Sequence, residues 1–178
     1  MANPAYAFDP YTLLAALQAR GVSFAVIGAF ARVIHGTGEV TDGLDVTPSM
    51  REENLSRLAK ALDDLDARRA DGKELDLGRD PVVELNTRAG DLKLVPEPAG
   101  SHGYDDLRRH ASREPLGRGV RPEVASPGDL ARMLGALERP RDPHPAPPPP
   151  RDRAHPPPRY RALTARAPLR AYSNYQLR

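Results

Sequence analysis

The amino-acid sequence predicts an α/β domain, a small mixed β-sheet flanked by helices, followed by a disordered tail rich in proline and arginine. Three observations lead there. Short apolar runs containing Val, Ile and Phe alternate with longer segments whose leucines recur at helical spacing. Two strand-like runs are separated by Ala89-Gly90, as in a hairpin. The composition then breaks near residue 140, so that 1–9 reads as a loose lead-in, 10–139 as the domain and 140–178 as the tail.

Asp9-Pro10 is a helix start, and Leu13, Leu14, Ala16 and Leu17 give that helix one apolar face. Gly21 to Gly28 is a short strand, and Ala29 to His35 has helical composition, so the chain is expected to run strand, glycine turn, helix. Thr41 to Val46 is the next strand. Pro48-Ser49 reads as a turn and helix cap before a helix over about 50–69 that buries Leu55, Leu58, Leu62 and Leu65. Val82 to Asn86 and Asp91 to Val95 are the hairpin strands. Tyr104 to Ala111 and Pro127 to Leu137 are expected helices, with a strand from Val120 to Val124 between them. Asp105 and Asp106 would cap the first of these two helices.

A chain of 178 residues is long enough for one domain with a single core. It has no cysteine, which excludes disulfides and thiolate metal sites and makes a reducing cytoplasm the expected location. No apolar run reaches the roughly 18 residues of a membrane span, and no secretory signal pattern opens the chain. The net charge of +2 hides an asymmetry: residues 139–178 hold nine arginines and two aspartates, leaving 17 basic against 22 acidic residues in the remainder. The domain is therefore mildly acidic, and nucleic-acid binding by charge would belong to the tail. Eleven of the twenty prolines lie between positions 140 and 168, which bars helix and central strand there. The same prolines rule out a helical Arg139-x4-His144 pair. P-loop, GxSxG and HExxH patterns and internal repeats are all missing.

The chemistry-bearing stretch is Gly28 to Asp45. A glycine at the entry to a helix lets an anion approach free backbone N–H groups. A carboxylate on the following strand could hold Mg²⁺ against a nucleotide's phosphates, best as an i, i+2 pair of acids on one face. The i+2 pair is incomplete, because Gly43 stands two residues before Asp45. Asp42 would face the other side of a regular strand, although a bulge could re-aim it as a substitute ligand. Asp45 itself, between Leu44 and Val46, has little structural reason to be acidic.

Gly28-Ala29, then His35-Gly36, then Thr41-Asp42-Gly43-Leu44-Asp45 resembles the nucleotidyltransferase (DNA polymerase beta-like) superfamily. The likeness is to its small bacterial toxin-antitoxin and abortive-infection members. It continues through Glu53 to Leu62, Thr87 to Val95, Gly103 to Leu107 and Val124 to Leu130, covering about residues 10–142. It implies the nucleotidyltransferase fold and transfer of a nucleotide from Mg-NTP to a protein or RNA acceptor. In it Gly28, Ala29 and His35 would bind nucleotide, Asp45 would be catalytic, and Asp45 with Asp42 would hold metal. A toxin or antitoxin partner is implied as well, and no membrane.

The sequence also departs from the family. The positions of Gly43, Asp45 and Lys93 would all be acidic and would hold two Mg²⁺ ions. This chain keeps one acid of the three and puts a cation at the third. The expected consequence is an impaired enzyme, with Lys93 paired to Asp45 or meeting phosphate without metal. The alternatives are a non-catalytic nucleotide- or partner-binding module and a nucleic-acid binder working through its arginine-rich tail. A basic residue expected near Leu134, and a packing helix after it, are missing too.

Overall fold

The computed structural model describes residues 7–137. Expectations about the 138–178 region and about residues 1–6 therefore lie outside the described residues. The twelve elements are, in order, α1 (Pro10–Ala19), β1 (Phe24–Ile27), α2 (Gly28–Ile34), β2 (Gly43–Pro48), α3 (Glu52–Asp64), β3 (Arg68–Arg69), β4 (Val83–Thr87), β5 (Gly90–Leu94), α4 (Tyr104–Leu107), β6 (Ser112–Arg113), β7 (Glu123–Val124) and α5 (Pro127–Leu137). The strands form one seven-stranded mixed sheet in the order β3-β4-β5-β2-β1-β7-β6. β1 runs antiparallel to β2 and parallel to β7, and β2 runs parallel to β5.

α1 starts where Asp9 caps it, the Asp9 carboxylate accepting from the backbone N–H of Tyr11 and Thr12, with Pro10 in the first turn. Its Leu13, Leu14 and Leu17 are buried together with Leu58, Leu62 and Leu65, which places α1 beside α3 under the sheet. Each such leucine contributes on the order of 2 kcal/mol of apolar burial. α2 packs against β1 and β2 and touches α5. The end of the lead-in is anchored rather than loose: the Asp9 N–H donates to Ala89 O, and Phe8 meets Phe30 edge to face at 5.9 Å.

Several expected boundaries move. β2 begins two residues later than Thr41 and runs on through Pro48. Proline is tolerated there because the β5 ladder ends at Val46, so Pro48 faces only β1 and owes no donor to a second strand. Ser49 does not cap α3: its N–H donates to Ser23 O, and the residue before α3 is Arg51, which makes no side-chain cap. α3 stops at Asp64 rather than near 69, with Asp66 at φ 53° turning the chain. α4 is a single turn, and Asp106 reaches back to the His102 N–H rather than capping from the cap position itself. The two-residue strands β3 and β6 were not expected at all.

Candidate functional site

β1 is buried along its whole length and delivers the chain to Gly28 at the sheet's centre. There the backbone takes φ +69°, a conformation glycine adopts freely and other residues resist. A second constraint acts on the same residue. A Cβ at position 28 would stand 2.2 Å from Asp45 Oδ2 and 3.1 Å from Asp45 Cβ. The glycine turn and the carboxylate are therefore in contact, as the pairing of Ile27 with Asp45 across β1 and β2 requires.

Asp45 is half-buried, between the fully buried Leu44 and Val46 on the strand's other face. Among the described residues it makes no hydrogen bond and no ion pair within 4 Å. Burial pushes its carboxyl above the usual carboxylate range, opposed by the positive charges of Lys93 and Arg32 and assisted by Glu84. Two residues further along the same face, Thr47 buries a hydroxyl that has no hydrogen-bond partner among the described residues.

Lys93 sits directly across from Asp45 on β5, and Glu84 directly across from Lys93 on β4, so the three form one row over three strands. The ammonium does not go to Asp45, one of the two partners that the sequence offered it beside a phosphate. It pairs with Glu84 at 2.9 Å, which raises the lysine's pKa and leaves Asp45 with no ion pair among the described residues. Glu84 was missed, yet hairpin counting finds it: with Thr87 opposite Gly90, three steps back place Glu84 against Lys93.

The remaining candidates, Ala29, His35 and Asp42, are dispersed around this corner, with Arg32 of α2 beside them. Ala29 follows Gly28 in the first turn of α2. His35 closes α2, and its Nε2 lies 2.9 Å from the carbonyl of Ala125, tying α2 to the segment before α5. Asp42 is exposed in the bend before β2 rather than on the strand. Arg32 engages Glu39 through two short contacts, Nε to Oε1 at 2.8 Å and Nη2 to Oε2 at 2.7 Å.

The donor set does not fit the Mg²⁺ that the resemblance implies. Mg²⁺ requires near-octahedral oxygen ligation, commonly with one or two carboxylates besides phosphates and water. Here one half-buried carboxylate faces the turn, Gly43 has no side chain, and the cross-strand neighbour is a cation. Among the described residues no group of three His, Cys, Asp or Glu could hold a metal. Restoration is nonetheless sterically open at Gly43, where a Cβ would meet nothing closer than Asp91 O at 3.5 Å, an ordinary contact.

The architecture is that of the nucleotidyltransferase fold. The chain is similar to a Thermotoga maritima structure described as a putative nucleotidyltransferase, with a TM-score of 0.52 and 12% identity over 70% of this chain and 80% of that one. At that identity the likeness concerns the fold. A further similarity, to the antibiotic-resistance factor ANT(2'')-Ia, has a TM-score of 0.47 and 19% identity over 67% of this chain, which spans 64% of that protein's length. No protein-family model matches the sequence, and no curated protein does. Among the described residues no helix is long and apolar enough to cross a membrane.

Proposed function

We propose that this is a nucleotide-binding protein of the minimal bacterial nucleotidyltransferase kind whose transfer chemistry is impaired. The reaction it descends from moves a nucleotide from an NTP to a hydroxyl of a protein or RNA acceptor. The single observation that supports this reading is the Gly28 turn closing onto an unpartnered, half-buried Asp45 within the nucleotidyltransferase fold. Gly28 and Ala29 would approach the triphosphate, with His35 behind them. Asp45 would be the one acid left to act on the reacting groups.

The impairment rests on charge. Three acids would offset most of the charge of two divalent ions, whereas the row of Asp45, Lys93 and Glu84 carries a single net negative charge and leaves one carboxylate at the turn. The same observation favours a second reading, a non-catalytic module of a toxin-antitoxin pair that binds a nucleotide or its partner without turnover.

Calorimetry of NTP binding with and without Mg²⁺, on the natural chain and on a Gly43→Asp/Lys93→Asp variant, tests both. Mg²⁺-dependent binding that appears only in the variant supports an impaired nucleotidyltransferase. Comparable Mg²⁺-dependent binding by both chains would show that other acids replace the missing ones and would overturn the impairment. Absence of NTP binding under every condition would remove the nucleotide reading altogether.

A further inference from the structure

The other end of β2 carries a second group of features that the nucleotide reading does not use. Beyond Pro48 the chain turns into α3 past two adjoining cavities of about 350 and about 120 Å³, and Ser49, Arg51 and Tyr104 line both. Asn54 fixes the corner. Its side chain accepts from Ser23 N–H at 2.7 Å and donates to Ser23 O at 3.0 Å and Ser49 O at 2.8 Å. Ser49 is only 5% exposed, its backbone is fully engaged, and no described residue hydrogen-bonds its hydroxyl.

Three arginines line the smaller cavity, Arg51, Arg57 and Arg108. Their acidic neighbours are fewer. Glu53 pairs with Arg57, and Asp105 is shared at long range, 3.6 Å from Arg51 and 3.5 Å from Arg108. One positive charge is left over. The 13-residue helix α3 begins at the same point without a side-chain cap, so its first N–H groups are free to donate to a ligand, although Glu52 and Glu53 in the first turn offset the helix's positive end.

We propose that this pocket binds a phosphate monoester, its phosphate held by Arg51, Arg108 and the Ser49 hydroxyl at the start of α3. Guanidinium forks and a hydroxyl donor are the groups that recognise tetrahedral oxyanions. The ester's organic part would lie in the larger cavity against Pro48, Met50 and Pro96. Glu97 and Asp105 on that cavity's wall disfavour a second phosphate there, which selects a monophosphate over a di- or triphosphate. The site lies at the end of β2 opposite Asp45, and the proposal does not depend on nucleotide binding.

The test is an amide-resolved NMR titration of the full chain with glycerol 3-phosphate, inorganic phosphate, pyrophosphate and, as ionic-strength control, sodium chloride. Saturable shifts at Ser49 and at Glu52 to Asn54 are expected with the monoester and with phosphate, weaker ones with pyrophosphate. The exposed pair Arg51→Gln/Arg108→Gln should weaken binding by roughly tenfold or more, and Ser49→Ala by severalfold. Asp45→Asn should leave it unchanged. Shifts that rise linearly and are reproduced by chloride, or that survive in the double arginine variant with its amide spectrum otherwise intact, would overturn the site. Tighter binding of pyrophosphate would overturn the monoester assignment.

Discussion

Two corners of this molecule bring a carboxylate indoors, and they treat it in opposite ways. At the start of α5, Asp129 is 6% exposed and well provided for: it accepts from the Ser126 hydroxyl at 2.8 Å and from Arg132 at 2.9 Å, while its own N–H donates to Ser126 Oγ at 3.1 Å. On β2, Asp45 has none of this, and Thr47 beside it buries a lone hydroxyl. The difference separates burial from purpose. A polar group enclosed with its partners is part of the scaffold; one enclosed without them is retained against its own energetic interest.

The largest test of this contrast is Gly28→Ala. The positive φ and the contact with Asp45 together should cost about 2–4 kcal/mol in denaturant unfolding. Adding Asp45→Ala should recover at least about 0.5 kcal/mol relative to the sum of the single changes, because the closest contact disappears. Strict additivity would mean that the turn and the carboxylate do not press on each other. Next, Asp129→Ala should cost about 2 kcal/mol, since it takes the acceptor from the Ser126 hydroxyl that caps α5 and leaves Arg132 with Asp106 as its one remaining carboxylate among the described residues. A loss below the error of the measurement would erase the distinction between the two corners.

Thr47→Val should move the other way, raising stability by about 1 kcal/mol, because it replaces an unpartnered buried hydroxyl with a methyl group of the same shape. The smallest effect concerns Asp45→Asn, read as a pH profile. Burial raises the folded carboxyl's pKa, so the folded state holds this proton more tightly than the unfolded state. The parent chain therefore loses stability as pH rises from the ordinary aspartate range through the raised folded value. The Asn variant lacks that loss and should be at least as stable as the parent at pH 7. A variant less stable at neutral pH than at pH 3, relative to the parent, would show that the Asp45 charge has a stabilising partner.

Much of the fold was legible because it is written in local pattern. Asp9-Pro10 announces α1, the leucine spacing announces α3, and Ala89-Gly90 the hairpin, since each depends on residues close in sequence. The strands β3 and β6 were not legible. Arg68-Arg69 and Ser112-Arg113 have no strand character of their own and are extended only because β4 and β7 offer them a ladder. The site divides in the same way. That Asp45 is out of place among apolar neighbours was visible locally, whereas the diversion of Lys93 to Glu84 depends on a cross-strand register. The role of Ser49 was misread because Asn54, five residues on, claims its carbonyl and holds the chain off the cap position.

The two demands on Gly28 have unequal lifetimes in a lineage. Should the carboxylate at 45 give way to a smaller residue, the pressure from across the sheet would ease, but the backbone angle would still strain any side chain with a Cβ at position 28. Descendants that had lost all trace of the chemistry would go on inheriting the glycine, which makes that residue a record of ancestry and the aspartate the better indicator of present use.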